Sequence, residues 1–396
     1  MTPAARLSAA ITVLDRILGG EPVEQALTNW GRASRFAGSG DRHAVRDLVF
    51  DALRCKRSYA ALGGGLTGRG LILGGLRAAG ADVAALFSGV GHAPEQVVEA
   101  EAGREPLGAE ALDVPEWLYD LLANALGEEC DATLEALRRR APVFLRVNRA
   151  KASPAEAIAA LAEEGIVSHA VEALQSGLEV TENTRKIHQS KAYAQGLVEL
   201  QDAASQAVVE ALPLHDGQRV LDLCAGGGGK TLAMAARARL DIYAHDADPG
   251  RMRDLPARAE RACARISITK TPEKTAPYDL ILTDVPCSGS GSWRRDPMGK
   301  WALTPERLSS VCALQGQILA RAAAMLGPTG VLAYATCSML KEENEDQIAK
   351  FLIENKAFTC LLQRRFSPLQ GGDGFFLALL TRWSGCQNIQ PLEEFL

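Results

Sequence analysis

The strongest constraint on this chain is an apolar strand that runs directly into a glycine turn and then a helix. Val220-Leu221-Asp222-Leu223 is followed by Cys224-Ala225-Gly226-Gly227-Gly228-Gly229-Lys230-Thr231. Successive glycines let the backbone take positive φ and approach a ligand closely. From about residue 200 onward, helical stretches alternate with apolar runs at Arg219–Leu223, Asp241–His245, Arg265–Thr269, Tyr278–Thr283 and Gly330–Thr336. This alternation predicts a parallel sheet with helices on both faces.

The front of the chain reads differently. Leu7, Ala10, Ile11, Leu14, Ile17 and Leu18 keep the spacing of one buried helical face. Glu21-Pro22 can open a second helix, and Asp41 can cap a third with Val45, Leu48, Val49, Ala52 and Leu53 inside. Gly63-Gly64-Gly65 interrupts the pattern, which resumes at Leu71–Leu86 and Pro115–Leu126. Residues 1–135 therefore predict an all-helical domain. A small α/β segment over 136–199 should bridge to a main domain at 200–396. It holds a strand at Phe144–Asn148, a capping box at Ser153-Pro154-Ala155-Glu156 and a short strand near Leu178-Glu179-Val180.

The glycine turn lies on the first strand of the alternating region. The second strand ends in His245-Asp246-Ala247-Asp248, where a carboxylate can meet the hydroxyls of an adenosine ribose. A dinucleotide or S-adenosylmethionine would fit such a pocket. The turn has neither the G-x-G-x-x-G spacing nor a complete phosphate loop, since Cys224 stands where that loop needs a glycine. Without a strong phosphate cradle, a methyl donor is favoured.

Two thiols stand beside this pocket. Tyr278–Thr283 runs into Asp284-Val285-Pro286-Cys287-Ser288-Gly289, and Gly330–Thr336 runs into Cys337-Ser338. Paired thiols at strand ends suggest covalent chemistry on whatever the cofactor modifies. The nine cysteines include no C-x2-C pair, so neither structural zinc nor another metal is expected. The formal net charge of −5 does not advertise a polyanion partner. Local arginine groups do so more: Arg138–Arg140 with Arg146, Arg149 and Lys151; Arg251 to Arg265; and Arg294-Arg295 with Lys300. No apolar run approaches the roughly 20 residues of a membrane helix, and no signal-type apolar block follows Met1. A cytoplasmic protein is the expectation.

Taken in order, the glycine turn, the Asp284–Gly291 segment, Arg294-Arg295-Asp296-Pro297, Lys300-Trp301, and Ala335-Thr336-Cys337-Ser338 with Glu343-Asn344-Glu345 form a specific set. The set resembles the RsmB/NOP2/Sun family of RNA 5-methylcytosine methyltransferases over about residues 140–385. Leu145–Asn148 and Gln201–Gln206 look like two further family segments. The helical front resembles the NusB-like RNA-binding domain of the bacterial ribosomal branch. The resemblance implies a class I methyltransferase sheet of seven strands, Rossmann-like, whose last strand, at Gly374–Leu380, is antiparallel. It implies Cys337 as the nucleophile, Cys287 as the cysteine that helps release product, and Asp284 as a ligand of the base and of the donor. Cys224, Ala225, Gly226, Gly227, Gly228, Gly229, Lys230 and Asp246 would hold S-adenosylmethionine. The implied reaction is methylation of carbon 5 of a cytosine in RNA, with 16S ribosomal RNA first, by a monomer.

The chain departs from the family pattern at Gly226-Gly227, where alanine and proline are usual. It also lacks an aspartate in Thr269-Lys270-Thr271-Pro272, where Glu273 is the nearest carboxylate. Competing readings are an assembly factor with little catalysis, a transfer RNA enzyme and a DNA cytosine enzyme. The last uses only the thiol after strand four, so the presence of Cys337 counts against it.

Overall fold

The computed structural model describes residues 1–382; the last fourteen positions of the expected 200–396 domain lie outside the described residues. The chain forms two compact units. One holds Met1–Arg140 together with Trp293–Ala302, and the other holds Ala141–Ser292 and the chain from Leu303 onward.

The first unit is helical. Its first helix, Pro3–Leu18, starts with proline at its first turn and is capped by Thr2, whose hydroxyl accepts the Ala5 N–H at 3.1 Å. Leu7, Ala10, Val13, Leu14 and Ile17 are buried along one face. Helices Val23–Ala33, Ser39–Arg54, Lys56–Leu62 and Gly68–Ala78 follow. Asp41 is not the cap of the third helix. It sits in the first turn, where its carboxylate accepts the Gly38 N–H and pairs with Arg6 and the chain's amino terminus. The single helix expected over 71–86 is two helices, because Gly80 at φ +64° ends the first and Val83–Leu86 starts anew.

Residues 293–302 join this unit although they follow the Cys287 segment in sequence. The Trp301 indole donates to the Leu53 carbonyl at 2.7 Å, and Lys300 Nζ donates to the Arg54 carbonyl at 3.2 Å. Arg54 Nε in turn donates to the Arg294 carbonyl at 2.7 Å. Burial pushes Lys300 down to about 8, with Asp113 pulling it back toward the charged form. The Lys-Trp pair is therefore embedded in helical structure, and the first arginine cluster is partly structural too. Arg138 binds buried Asp113, and Arg140 meets Asp47.

The second unit carries two sheets. The smaller has strands β1 (Val143–Val147), β2 (Val167–Ala170), β3 (Gly177–Glu182) and β4 (Val198–Leu200) in the order β2-β3-β1-β4. Its helix, Pro154–Glu163, has the expected capping box: Ser153 Oγ accepts the Glu156 N–H, and Glu156 accepts the Ser153 N–H at 2.8 Å. The larger has β5 (Arg219–Asp222), β6 (Asp241–Ala244), β7 (Ser267–Ile268), β8 (Tyr278–Asp284), β9 (Leu326–Thr336), β10 (Phe358–Phe366) and β11 (Phe375–Arg382). The order is β10-β11-β9-β8-β5-β6-β7; β11 is antiparallel to both neighbours and the other pairs are parallel. This is the expected seven-stranded sheet. β7 keeps only two residues of the five expected.

Alternate residues of the central strands enter two cores. Leu221, Ile281, Leu332 and Tyr334 face one, and Val220, Leu280, Leu282, Ala333 and Ala335 face the other. Burial on both faces explains why these strands read as continuous apolar runs. The arginines after β6 tie the two sheets of this unit together: Arg258 and Arg261 both pair with Glu199 on β4, itself 3% exposed.

Candidate active site

Strand register brings the site together. β5, β8 and β9 are parallel neighbours, with Asp222 opposite Leu282 and Asp284 opposite Ala335. Cys224, Cys287 and Cys337 each lie two or three residues beyond these partners, so all three emerge at one edge of the sheet. They border a cavity of about 490 Å³, within the range of small-molecule sites. Its wall includes the expected Cys224, Ala225, Gly226, Gly227, Gly229, Lys230, Asp284, Cys287 and Cys337.

Two expected donor residues stand behind this wall. Gly228 turns the chain at φ +78°, and a Cβ there would lie 2.2 Å from Leu255 Cδ1. Gly228→Ala is expected to cost about 1–3 kcal/mol of stability, read by urea unfolding, because the left-handed backbone strains a side chain that also has no room. Asp246 is 5% exposed; its carboxylate accepts the Gly226 N–H and the Asp248 N–H, each at 2.9 Å. It braces the glycine turn, and a carboxylate retains lone pairs for a further donor.

The wall also holds Gln201, Ser205, Asp222, Arg251, Val285 and Pro286, which the sequence shows only as members of longer segments and not as site residues. Arg251 lies 3.4 Å from Asp246. Asp222 Oδ2 accepts the Thr231 hydroxyl at 2.6 Å, while Oδ1 is buried without a partner. Burial pushes Asp222 up to about 7. A buried carboxylate oxygen with no donor, on the wall of a glycine-edged cavity, suits a ligand bearing an amino group. Glu273, the nearest carboxylate to the Thr269–Pro272 stretch, is not on the wall; it pairs with Arg321.

The two thiols expected to react meet on this wall. Cys287 Sγ and Cys337 Sγ are 3.3 Å apart. The hydrogen bond from Cys287 holds Cys337 below the ordinary thiol range, with Lys230 and the Ser292 hydroxyl assisting against burial and Asp284. The same hydrogen bond, burial and the Cys337 charge push Cys287 well up, and Glu343 adds to this. The two sulfurs are thus pulled in opposite directions, Cys337 toward the thiolate and Cys287 toward the thiol. Lys230 donates to Asp284 at 2.7 Å; burial opposes its charge, but Asp284 outweighs it and holds the ammonium above its ordinary value. Burial and three carboxylates push Cys224 up to about 12, so it is wall rather than nucleophile.

Known proteins resemble this chain. The family described as 16S rRNA methyltransferase RsmB/F matches residues 209–381, and an RsmF/B-like ferredoxin-like domain matches residues 114–188. Ribosomal RNA small subunit methyltransferase B of Xanthomonas campestris is 35% identical over 307 residues, 72% of this chain and 70% of that one. Its counterpart in Proteus mirabilis is 33% identical over 68% of this chain and 65% of that one. The crystal structure of PH0851 superposes with a TM-score of 0.77 at 23% identity, covering 96% of this chain and 99% of that one, a likeness of fold. A methyltransferase homologue from Pyrococcus horikoshii superposes at 0.61 with 26% identity, over 69% of this chain and 96% of that one. With matched spans of about two thirds of the curated relatives' length, and a seven-stranded methyltransferase sheet beneath them, the chain belongs to the RsmB/F family of methyltransferases.

Proposed function

We propose that the protein methylates carbon 5 of a cytosine in small-subunit ribosomal RNA, using S-adenosylmethionine and a covalent bond from Cys337 to carbon 6. The observation that carries this reading is the thiol pair, 3.3 Å apart, beside the Lys230–Asp284 ion pair on the wall of one cavity. The names of the curated relatives favour ribosomal RNA as substrate.

Bound S-adenosylmethionine supplies an electrophilic methyl group. The residues that would hold it are the 224–230 turn, Asp222 with its unpartnered oxygen, and Asp246 behind Gly226. The Cys337 thiolate adds to carbon 6 of a base extruded from its stack, forming a carbon–sulfur bond and making carbon 5 nucleophilic. Asp284 can accept the exocyclic amine, and Lys230 keeps that carboxylate in place. Once Cys337 is a thioether, its negative charge no longer holds Cys287 protonated. Cys287 then gives its proton to solvent water, takes the one on carbon 5 after methylation, and the electrons of that C–H bond expel Cys337 as thiolate.

Asp246→Ala is expected to weaken donor binding by about 1–3 kcal/mol by titration calorimetry. Unchanged affinity would remove Asp246 from the donor site. The cavity wall is built from the second unit alone, and the helical unit is assigned to RNA affinity. It exposes Arg32, Arg35 and Phe36 close together, a charged and stacking footprint. Arg32→Glu with Arg35→Glu should weaken RNA binding. The slope of log affinity on log salt should flatten by about 1 for each phosphate no longer neutralised.

The test of the activity is transfer of labelled methyl groups to small-subunit RNA from a strain lacking this gene, followed by bisulfite sequencing. One newly protected cytosine is expected. Transfer RNA serves as the competing substrate, and label there alone would redirect the reading. No transfer to either would overturn it.

A further inference from the structure

Glu343 is wholly buried, and its role follows from where its hydrogen bonds go. One carboxylate oxygen accepts the Ser288 N–H at 2.8 Å and the Gln315 amide at 3.0 Å. The other accepts the hydroxyls of Ser288 and Ser338. Ser288 directly follows Cys287, and Ser338 directly follows Cys337. A single side chain thus ties the segments carrying both sulfurs, although they lie fifty residues apart in sequence. Neighbouring bonds reinforce the second segment. Asn344 accepts the Thr336 hydroxyl at 2.6 Å and donates to the Ser338 carbonyl at 2.9 Å, and Tyr334 donates to the Glu343 carbonyl at 2.6 Å. Four donors on one buried carboxylate fix its position.

We propose that Glu343 is a positioning residue that clamps the two cysteine segments at one spacing and places a fixed negative charge on the Cys287 side of the pair. The proposal rests on the reading of Cys337 as nucleophile. The charges facing the pair are arranged asymmetrically. Cys287 meets Glu343 and Cys337, whereas Cys337 meets Lys230 and Asp284. From the packed elements, Cys312 on helix Pro305–Met325 and Tyr334 on β9 also feel Glu343, and both are pushed up, first by burial and then by that carboxylate. Negative charge beside Cys287 and an ammonium beside Cys337 favour the thiol at Cys287 and the thiolate at Cys337. The clamp therefore sets the spacing of the two sulfurs and adds to the bias for Cys337.

The test needs neither RNA nor donor, so it is independent of the methylation assay. Purified protein is exposed briefly to iodoacetamide at neutral pH, and the two cysteines are mapped by mass spectrometry. The full-length protein should label at Cys337 far more than at Cys287. Glu343→Gln keeps the shape and removes the charge; the Cys337:Cys287 ratio should fall about tenfold or more. A folded Glu343→Gln protein with the wild-type ratio would overturn the proposal. Should that variant unfold, Glu343→Asp carries the test, since it keeps the charge on a shorter arm. Selectivity for Cys337 should persist, while diamide, which takes two hydrogens from the pair to close a disulfide, should react about tenfold more slowly. Wild-type closure rates would refute the clamp. A shifted labelling ratio with no methyl transfer by the wild-type protein would leave the clamp standing and sink the assigned reaction.

Discussion

Cys337→Ala is expected to lose methyl transfer by at least about a thousandfold and to form no RNA adduct, the consequence of deleting a nucleophile. Cys287→Ala should do the opposite. Its Cys337 still starts the reaction, but no thiolate takes the carbon 5 proton, so a protein–RNA adduct should survive denaturing gel electrophoresis. The double variant should give none. An adduct in Cys337→Ala alone would make Cys287 the nucleophile. The opposite shifts, Cys337 down and Cys287 up, make the first outcome the expected one.

Lys230→Met should lower transfer at neutral pH by about tenfold or more, with a diagnostic change in pH dependence. Cys337 is held down first by the Cys287 hydrogen bond and then in part by Lys230. Removing the ammonium raises the Cys337 pKa, so the thiolate forms only at higher pH, and the rising limb of the rate profile should shift upward. One pKa unit is a factor of ten in thiolate at a pH below both values. The variant also strips Asp284 of its 2.7 Å partner, and a partly buried carboxylate without its cation is costly. A lowered rate with an unmoved profile would place Lys230 in donor binding only.

The main sheet and the site's skeleton are legible in the sequence because buried parallel strands leave an uninterrupted apolar trace, and because chemistry collects where those strands end. Val220–Leu223, Tyr278–Thr283 and Gly330–Thr336 all carry that trace. β10 does not. Phe358–Phe366 is an edge strand with Gln363, Arg364 and Arg365 in its second half, so its pattern reads as surface. β7 is shorter than its pattern suggests: Arg265 and Ile266 look strand-like, yet only Ser267 and Ile268 pair with β6. Arg251 and Asp222 do not announce themselves as wall residues, because a lone arginine in an arginine-rich stretch, or an aspartate inside a strand, has no signature until the neighbours are placed. Glu343 is visible in the sequence only as part of a motif. Three of its four donors come from two distant segments, at Ser288 and Gln315, and no local spacing encodes that convergence.

The assignment of Trp293–Ala302 to the helical unit has an evolutionary corollary. The polypeptide leaves the catalytic unit after Ser292, contributes ten residues to the other, and returns at Leu303. The helical unit is therefore not a detachable prefix. A gene broken near codon 141 would deprive Trp301 and Lys300 of the Leu53 and Arg54 carbonyls they bind. Recombination between relatives could exchange the two units intact only by swapping two separate stretches of DNA at once, because the front of the protein and the stretch just past Cys287 belong to one unit.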